Sequence, residues 1–329
     1  MDYLYYLNAF GFLVLGSCLV LCNLPVLVVV CYAKNLRNQY GVLIISVLNG
    51  FLTGIVSCTY GIFRIVMFSQ GKQDEMVTVT ECFHNPLTIV LIWTFPMTGL
   101  GLLLNSIDRL IVISFPLSYF NYNTKIVLIL NAIALVVNTS IILAAIFASV
   151  NSVSPINRVS VFCNHGEILS KPMHILLSIA RTMFAVLAVV IMFVVLIILV
   201  KQNHVRTKQA FQSNDSIKRF KIRQMNYTKT MLISCVATII FYITPSIIST
   251  MSPTGIFGQS SHISTWTRFV SFFNSFNIAI LLIYRQNDIR WRLCKIVNVV
   301  FRKHLLSVSA IESTNTDHSR MQGNFHIQA

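Results

Sequence analysis

The sequence predicts an all-α membrane protein, a bundle of seven transmembrane helices followed by an amphipathic eighth helix. Three observations predict it. Of 329 residues, 55% are hydrophobic and only 11% are charged, whereas soluble domains carry about 25% charged residues. Seven apolar runs occupy most of the chain as far as residue 300, and each meets the roughly 20 residues that a helix needs to cross a bilayer. Most of the lysines and arginines fall between those runs. Lipid offers the backbone no hydrogen-bond partner, so each run must be helical to satisfy itself.

The runs are residues 6–32, 40–68, 86–109, 126–150, 172–200, 230–252 and 263–284. They divide the chain into a bundle over 1–284, a membrane-surface helix over 285–306 and a disordered polar tail over 307–329, leaving no room for a separate soluble enzyme domain. The net charge of +15 would suggest nucleic acid only if it lay on an exposed face of a soluble fold. Here it sets orientation. With the N-terminus outside, 19 of the 25 lysines and arginines fall in the inner loops and tail, as the positive-inside bias requires. The predicted location is therefore a multi-pass protein of the plasma membrane with a cytoplasmic C-terminus. The first run begins almost at Met1 without a basic leader or small-residue cleavage site, which predicts an uncleaved signal anchor.

Within the first run, Asn23 places a polar side chain at mid-membrane, facing protein. The second carries Asn49 and, near its outer end, Arg64, whose long side chain is expected to snorkel to the headgroups. The third holds Trp93, Thr94, Met97 and Thr98 at helical spacing in its outer half, with Pro96 as a kink site. It ends in Leu104-Asn105-Ser106-Ile107-Asp108-Arg109-Leu110, followed by Phe115-Pro116 and Tyr119. A carboxylate and a guanidinium at that depth are costly unless paired or wetted, so they mark a functional site by default. The fourth run carries an Asn138 sequon that membrane burial should silence, and the sequons at Asn214 and Asn226 fall on the predicted inner side.

The fifth run contains Arg181, two turns in from its outer end. A buried arginine seeks a carboxylate or an anion. It reads either as the counter-ion of an acidic ligand or as a side chain that snorkels or meets Glu81 or Glu167 of the outer loops. Before the sixth run lies a basic cluster, Lys218, Arg219, Lys221 and Arg223, suited to anionic inner-leaflet lipid. The sixth run holds Phe241-Tyr242-Ile243-Thr244-Pro245, where proline removes a backbone hydrogen bond and permits a bend. The seventh holds Asn277-Ile278-Ala279 and ends at Tyr284. Beyond it, Ile289, Leu293, Val297 and Val300 form an apolar stripe beside Arg290, Lys295 and Arg302, the pattern of a helix lying on a membrane surface.

The third-run motif resembles the cytoplasmic end of the third helix in rhodopsin-like G-protein-coupled receptors. With Phe115-Pro116 and Tyr119 it is most similar to the nematode serpentine chemoreceptors of class sx (Srsx). The resemblance implies a chemosensory receptor that passes binding of an external small molecule or peptide to a heterotrimeric G protein. Asp108 and Arg109, Tyr242 and Pro245, and Tyr284 would serve activation and coupling. Trp93, Thr94, Met97, Thr98, Arg181 and Tyr242 would line the ligand pocket. Cys82 and Cys163, both on the predicted outer side, would form the family's disulfide, with two free thiols as the alternative. The sequence departs from the wider receptor pattern at Cys22-Asn23, at Asn49 where an aspartate binds sodium, and at Asn277-Ile278-Ala279, which lacks a proline. The base of the sixth helix offers Lys229 and Arg223, so no acidic partner for Arg109 is available there. No span carries the carboxylate that amine receptors use, which disfavours a cationic ligand.

Other readings make different demands. A transporter or channel predicts repeated halves and mid-membrane acids or broken helices, which the seven runs lack. An enzyme predicts a spaced histidine or carboxylate cluster, but the eight histidines are scattered, so no cofactor or metal is expected. A divergent, non-signalling seven-helix protein fits the altered second and seventh helices.

Overall fold

The computed structural model describes residues 2–32, 37, 41–72, 74–152, 158–206, 232–251, 261–285 and 287–300. Its long helices are α1 (Asp2–Tyr32), α2 (Gly41–Ser69), α4 (Pro86–Ser114), α5 (Pro116–Ser152), α7 (Lys171–Arg206), α8 (Leu232–Met251) and α9 (Ser261–Arg285). Short elements intervene: β1 (Met76–Thr78), α3 (Val79–His84), β2 (Arg158–Ser160) and α6 (His165–Ile168). The amphipathic α10 follows at Asn287–Val300. Six of the long helices are apolar enough to cross a membrane. The seventh, α9, has an apolar centre over Phe269–Ile280, and its 25 residues reach about 37 Å at the α-helical rise.

The bundle turns apolar side chains outward. Leu128, Val136, Leu143 and Phe147 of α5 and Met183, Phe193 and Ile197 of α7 are exposed, while Asn23, Asn49, Asn105, Asn138 and Asn274 are buried. Water would punish that arrangement, whereas lipid favours it, because buried amides bond between helices at no hydrophobic loss. Asn49 Nδ2 donates to Thr98 Oγ1 at 2.9 Å, Asn105 Nδ2 to Ser46 Oγ at 2.8 Å and Asn138 Nδ2 to the Trp93 carbonyl at 3.0 Å. This is a multi-pass membrane protein.

Small residues let the helix backbones meet. A Cβ at Gly54 would stand 2.9 Å from the Val20 amide, and one at Gly61 would stand 2.7 Å from that of Leu13. Such contact between α1 and α2 leaves no space for a side chain.

The joint between α4 and α5 positions the Asp108 region. Asn85 caps α4 by accepting from the Leu87 amide at 3.0 Å, with Pro86 at the first helical position. That pairing is favoured because proline lacks a donor that would otherwise be orphaned. The helix runs on to Ser114, past the predicted end at Arg109, and stops at Phe115 because the following proline disfavours the helical region for it. Pro116 then starts α5 well before the predicted residue 126, so Tyr119 sits on the first turn of a helix instead of in a loop.

At the opposite end, Cys82 and Cys163 form a disulfide. β1 and β2 pair antiparallel with Met76 opposite Ser160, and the Val161 amide extends the ladder to the Glu75 carbonyl at 3.0 Å. This two-stranded ladder was not legible, since three-residue strands leave no alternation to read. It brings Phe162 and Asn164 over the bundle. Arg64 does not snorkel: it is buried, its Nη2 donates to Asn164 Oδ1 at 2.9 Å, and its guanidinium stacks on Phe12 and Phe162.

At the Arg109 end, α10 anchors through Ile289, which packs among Val26, Val30, Leu43 and Ala279, with Leu293 beside it. The Val297 and Val300 side chains, the basic cluster of Lys218, Arg219, Lys221 and Arg223, Lys229 and the tail over 307–329 lie outside the described residues.

Candidate functional site

Two buried polar clusters among the described residues gather site residues expected from the sequence. The first is at the end of α4. Arg109 is 1% exposed and pairs with the carboxylate of its neighbour Asp108, itself buried. Asp108 Oδ1 also accepts from the Tyr119 hydroxyl at 2.8 Å. Pro116 makes that contact possible, because a helix that begins there carries Tyr119 back beneath α4 within one turn. A guanidinium and carboxylate buried as a pair are stable only while each keeps its partner, and removing one strands the other at a cost of about 3–5 kcal/mol.

The second cluster lies toward the disulfide end and joins α4, α7 and α8. Arg181 is 7% exposed. Its Nη2 donates to Ser246 Oγ at 2.7 Å, and its guanidinium lies 3.9 Å from the Phe95 ring centroid and 5.2 Å from that of Tyr242. Arg181 Nε and the Tyr242 hydroxyl are buried without a hydrogen-bond partner. The hydroxyl lies beside the Gly99 backbone, within electrostatic reach but outside hydrogen-bond geometry. Neither of the loop acids expected as its partner reaches Arg181. Glu81 closes a capping box with Thr78, and Glu167 accepts from Asn164 and the Ser160 amide.

Tyr242 and Ser246 owe their positions to a break in α8. Ile239–Ile243 forms a π turn, and the Thr244 amide donates to the Ile239 carbonyl. Pro245 follows directly. Its ring would clash with the carbonyl four residues earlier, and the wider turn relieves that contact. Below the break, Thr238 Oγ1 donates to Asn274 Oδ1 at 3.0 Å, and Asn277 Nδ2 donates to Ser234 Oγ at 2.9 Å. These bonds clasp α8 to α9.

The pocket residues expected on α4 face elsewhere. Trp93 Nε1 donates to Thr139 on α5 at 3.3 Å, Thr94 and Thr98 meet Asn49 on α2, and Met97 is packed among Val42, Ile45 and Ala188. None of these four bonds to Arg181 or stacks with it among the described contacts. Of the expected pocket, Arg181 and Tyr242 come together, and Phe95 and Ser246 join them unexpectedly. Neither could be singled out in the sequence, where a phenylalanine and a serine in apolar runs look like packing. Tyr284 is 75% exposed at the end of α9, apart from both clusters.

Residues 16–301 match the family described as serpentine type 7TM GPCR chemoreceptor Srsx. The chain belongs to that family. The Srsx match runs from the middle of α1 through the other long helices, so both clusters and the disulfide fall within it. As an Srsx protein it is a receptor-type membrane protein from a chemoreceptor family, not from an enzyme class. No curated protein matches the chain.

Proposed function

We propose that this Srsx protein is a G-protein-coupled chemosensory receptor of the plasma membrane, with its N-terminus and disulfide outside and its Arg109 end in the cytoplasm. The observation that carries the reading is the buried Asp108–Arg109 pair closed by Tyr119 at the end of α4. A permanent strut gains little from two charges in adjacent positions, whereas a switch gains an arginine that can be released. The distribution of lysine and arginine, and a disulfide that an oxidising exterior permits, support the orientation.

In this reading Asp108 and Tyr119 hold Arg109 inward. An external ligand favours an arrangement in which α8, bent at Pro245 and clasped to α9, moves away from α4. The heterotrimeric G protein binds the cavity so opened, and Arg109 is the inner contact. Each partner then raises the other's affinity by the same factor, because both select one arrangement.

Energy transfer between tagged receptor and a panel of tagged G proteins tests this without a ligand. A basal signal that Arg109→Ala reduces at least about ten-fold, the effect of losing a charge-assisted contact, at equal surface expression is the expected outcome. A basal signal that survives the substitution removes Arg109 from the coupling site.

A further inference from the structure

We propose that Arg181 anchors the acidic group of the ligand, an organic carboxylate with an apolar or aromatic body, in a site shared with Tyr242, Phe95 and Ser246. The inference rests on the receptor reading above for its consequence, though not for its geometry. It starts from an unbalanced charge. Arg181 lies within the bundle with a guanidinium that carries five donors, yet its hydrogen bond runs to a neutral serine and its Nε makes none. Cation–π contact with Phe95 and Tyr242 offsets part of the desolvation, but an aromatic face leaves the charge uncompensated.

Three described acids that could have served as its partner are engaged elsewhere. Glu81 and Glu167 are bonded at the disulfide end, and Asp108 pairs with Arg109 at the other end. Among the described residues, then, no carboxylate neutralises Arg181. A purely structural tie between α7 and Ser246 would be made at less cost by an uncharged amide. The arrangement makes sense for an anion that arrives.

A carboxylate suits the groups present. Its two oxygens accept several hydrogen bonds, and a guanidinium offers two in parallel. The Tyr242 hydroxyl, buried without a bond a short way along α8 from Ser246, supplies a third donor from a second helix. The Phe95 and Tyr242 rings supply apolar surface for the body of the molecule. The position also explains how binding reaches the hinge. Tyr242 lies in the π turn and Ser246 directly follows Pro245, so an anion competing for the guanidinium acts on α8 at its break.

Thermal stability of the purified full-length protein, measured with octanoate, phenylacetate and 3-phenylpropionate against their methyl esters, tests the site. At least one acid should raise the melting temperature where its ester does not. Arg181→Gln should weaken that acid about ten-fold or more, the effect of losing hydrogen bonds to a charged group. Arg181→Lys keeps the charge without the fork, so it should keep the preference for acid over ester with weaker affinity, and it carries the test should the glutamine variant fail to fold. Equal stabilisation by acid and ester, acid binding unchanged in both variants, or no stabilisation by any of the three acids overturns the proposal.

Energy transfer to G proteins with the same compounds separates this inference from the receptor reading. Acid binding without transfer to any G protein supports the anion site and counts against coupling. Transfer driven by the esters or by matched amines, with no response to acids, overturns the anion site and leaves coupling intact.

Discussion

Tyr119 shows how much one residue can hold. Its hydroxyl donates to the carboxylate that retains Arg109, and a hydrogen bond to a charged group contributes about 1.5–3 kcal/mol. Tyr119→Phe should therefore raise ligand-independent signalling by about ten-fold or more, because each 1.4 kcal/mol shifts an equilibrium ten-fold. Asp108→Asn should raise it further, since it removes the charge as well. Surface-normalised energy transfer measures both, and basal signals equal to wild type would mean that the cluster is structural only. The charged members of this cluster were legible in the sequence because two charges ending an apolar run are conspicuous. The role of Phe95 was not, because a ring that stacks on a cation is spelled the same way as one that packs on leucine. The destination of Arg64 was equally hidden, since Asn164 and Phe162 reach it only after a distant loop has folded over the bundle.

Among the elements, α4 and α7 depend on Gly99. A Cβ there would stand 2.4 Å from the Arg181 carbonyl oxygen, a backbone atom that cannot turn away. At Gly101 the nearest atom is the Ser46 hydroxyl at 2.7 Å, the end of a side chain that can rotate. Gly99→Ala should thus destabilise by about 1–3 kcal/mol, the usual cost of overpacking, and Gly101→Ala by less. Comparative melting of the two variants in detergent checks the order, and equal losses would show that α7 shifts freely along α4. The helices were legible because six of the long ones are apolar enough to cross a membrane and the seventh has an apolar centre. Their ends were not. Pro116 is visible in the sequence, yet nothing in the chain announced that α5 would begin there in register to return Tyr119 to Asp108. The π turn was hidden too, because only the proline that provokes it is visible in sequence.

For the whole molecule, the contrast between its two ends matters most. At one end the Cys82–Cys163 disulfide, the β1–β2 ladder and the Arg64 stack fasten the loops to α1, α2 and α3. Removing the disulfide with Cys82→Ser or Cys163→Ser should cost about 2–5 kcal/mol and lower surface expression, with the double variant no worse than either single one. Additive losses in the double variant would show that the two cysteines act separately. At the other end, the described contacts between helices are noncovalent packing and hydrogen bonds, among them the Asn277–Ser234 and Thr238–Asn274 clasp. A body clamped at one end and yielding at the other behaves as a lever with its fulcrum at the π turn. The arm from Ile243 in the π turn to Leu232 is about 16 Å long at the α-helical rise, so a tilt of roughly ten degrees sweeps its tip through about 3 Å. Because the clasp makes α9 travel with α8, a sub-ångström adjustment around one guanidinium would be read out at the far membrane face as the displacement of two helices at once.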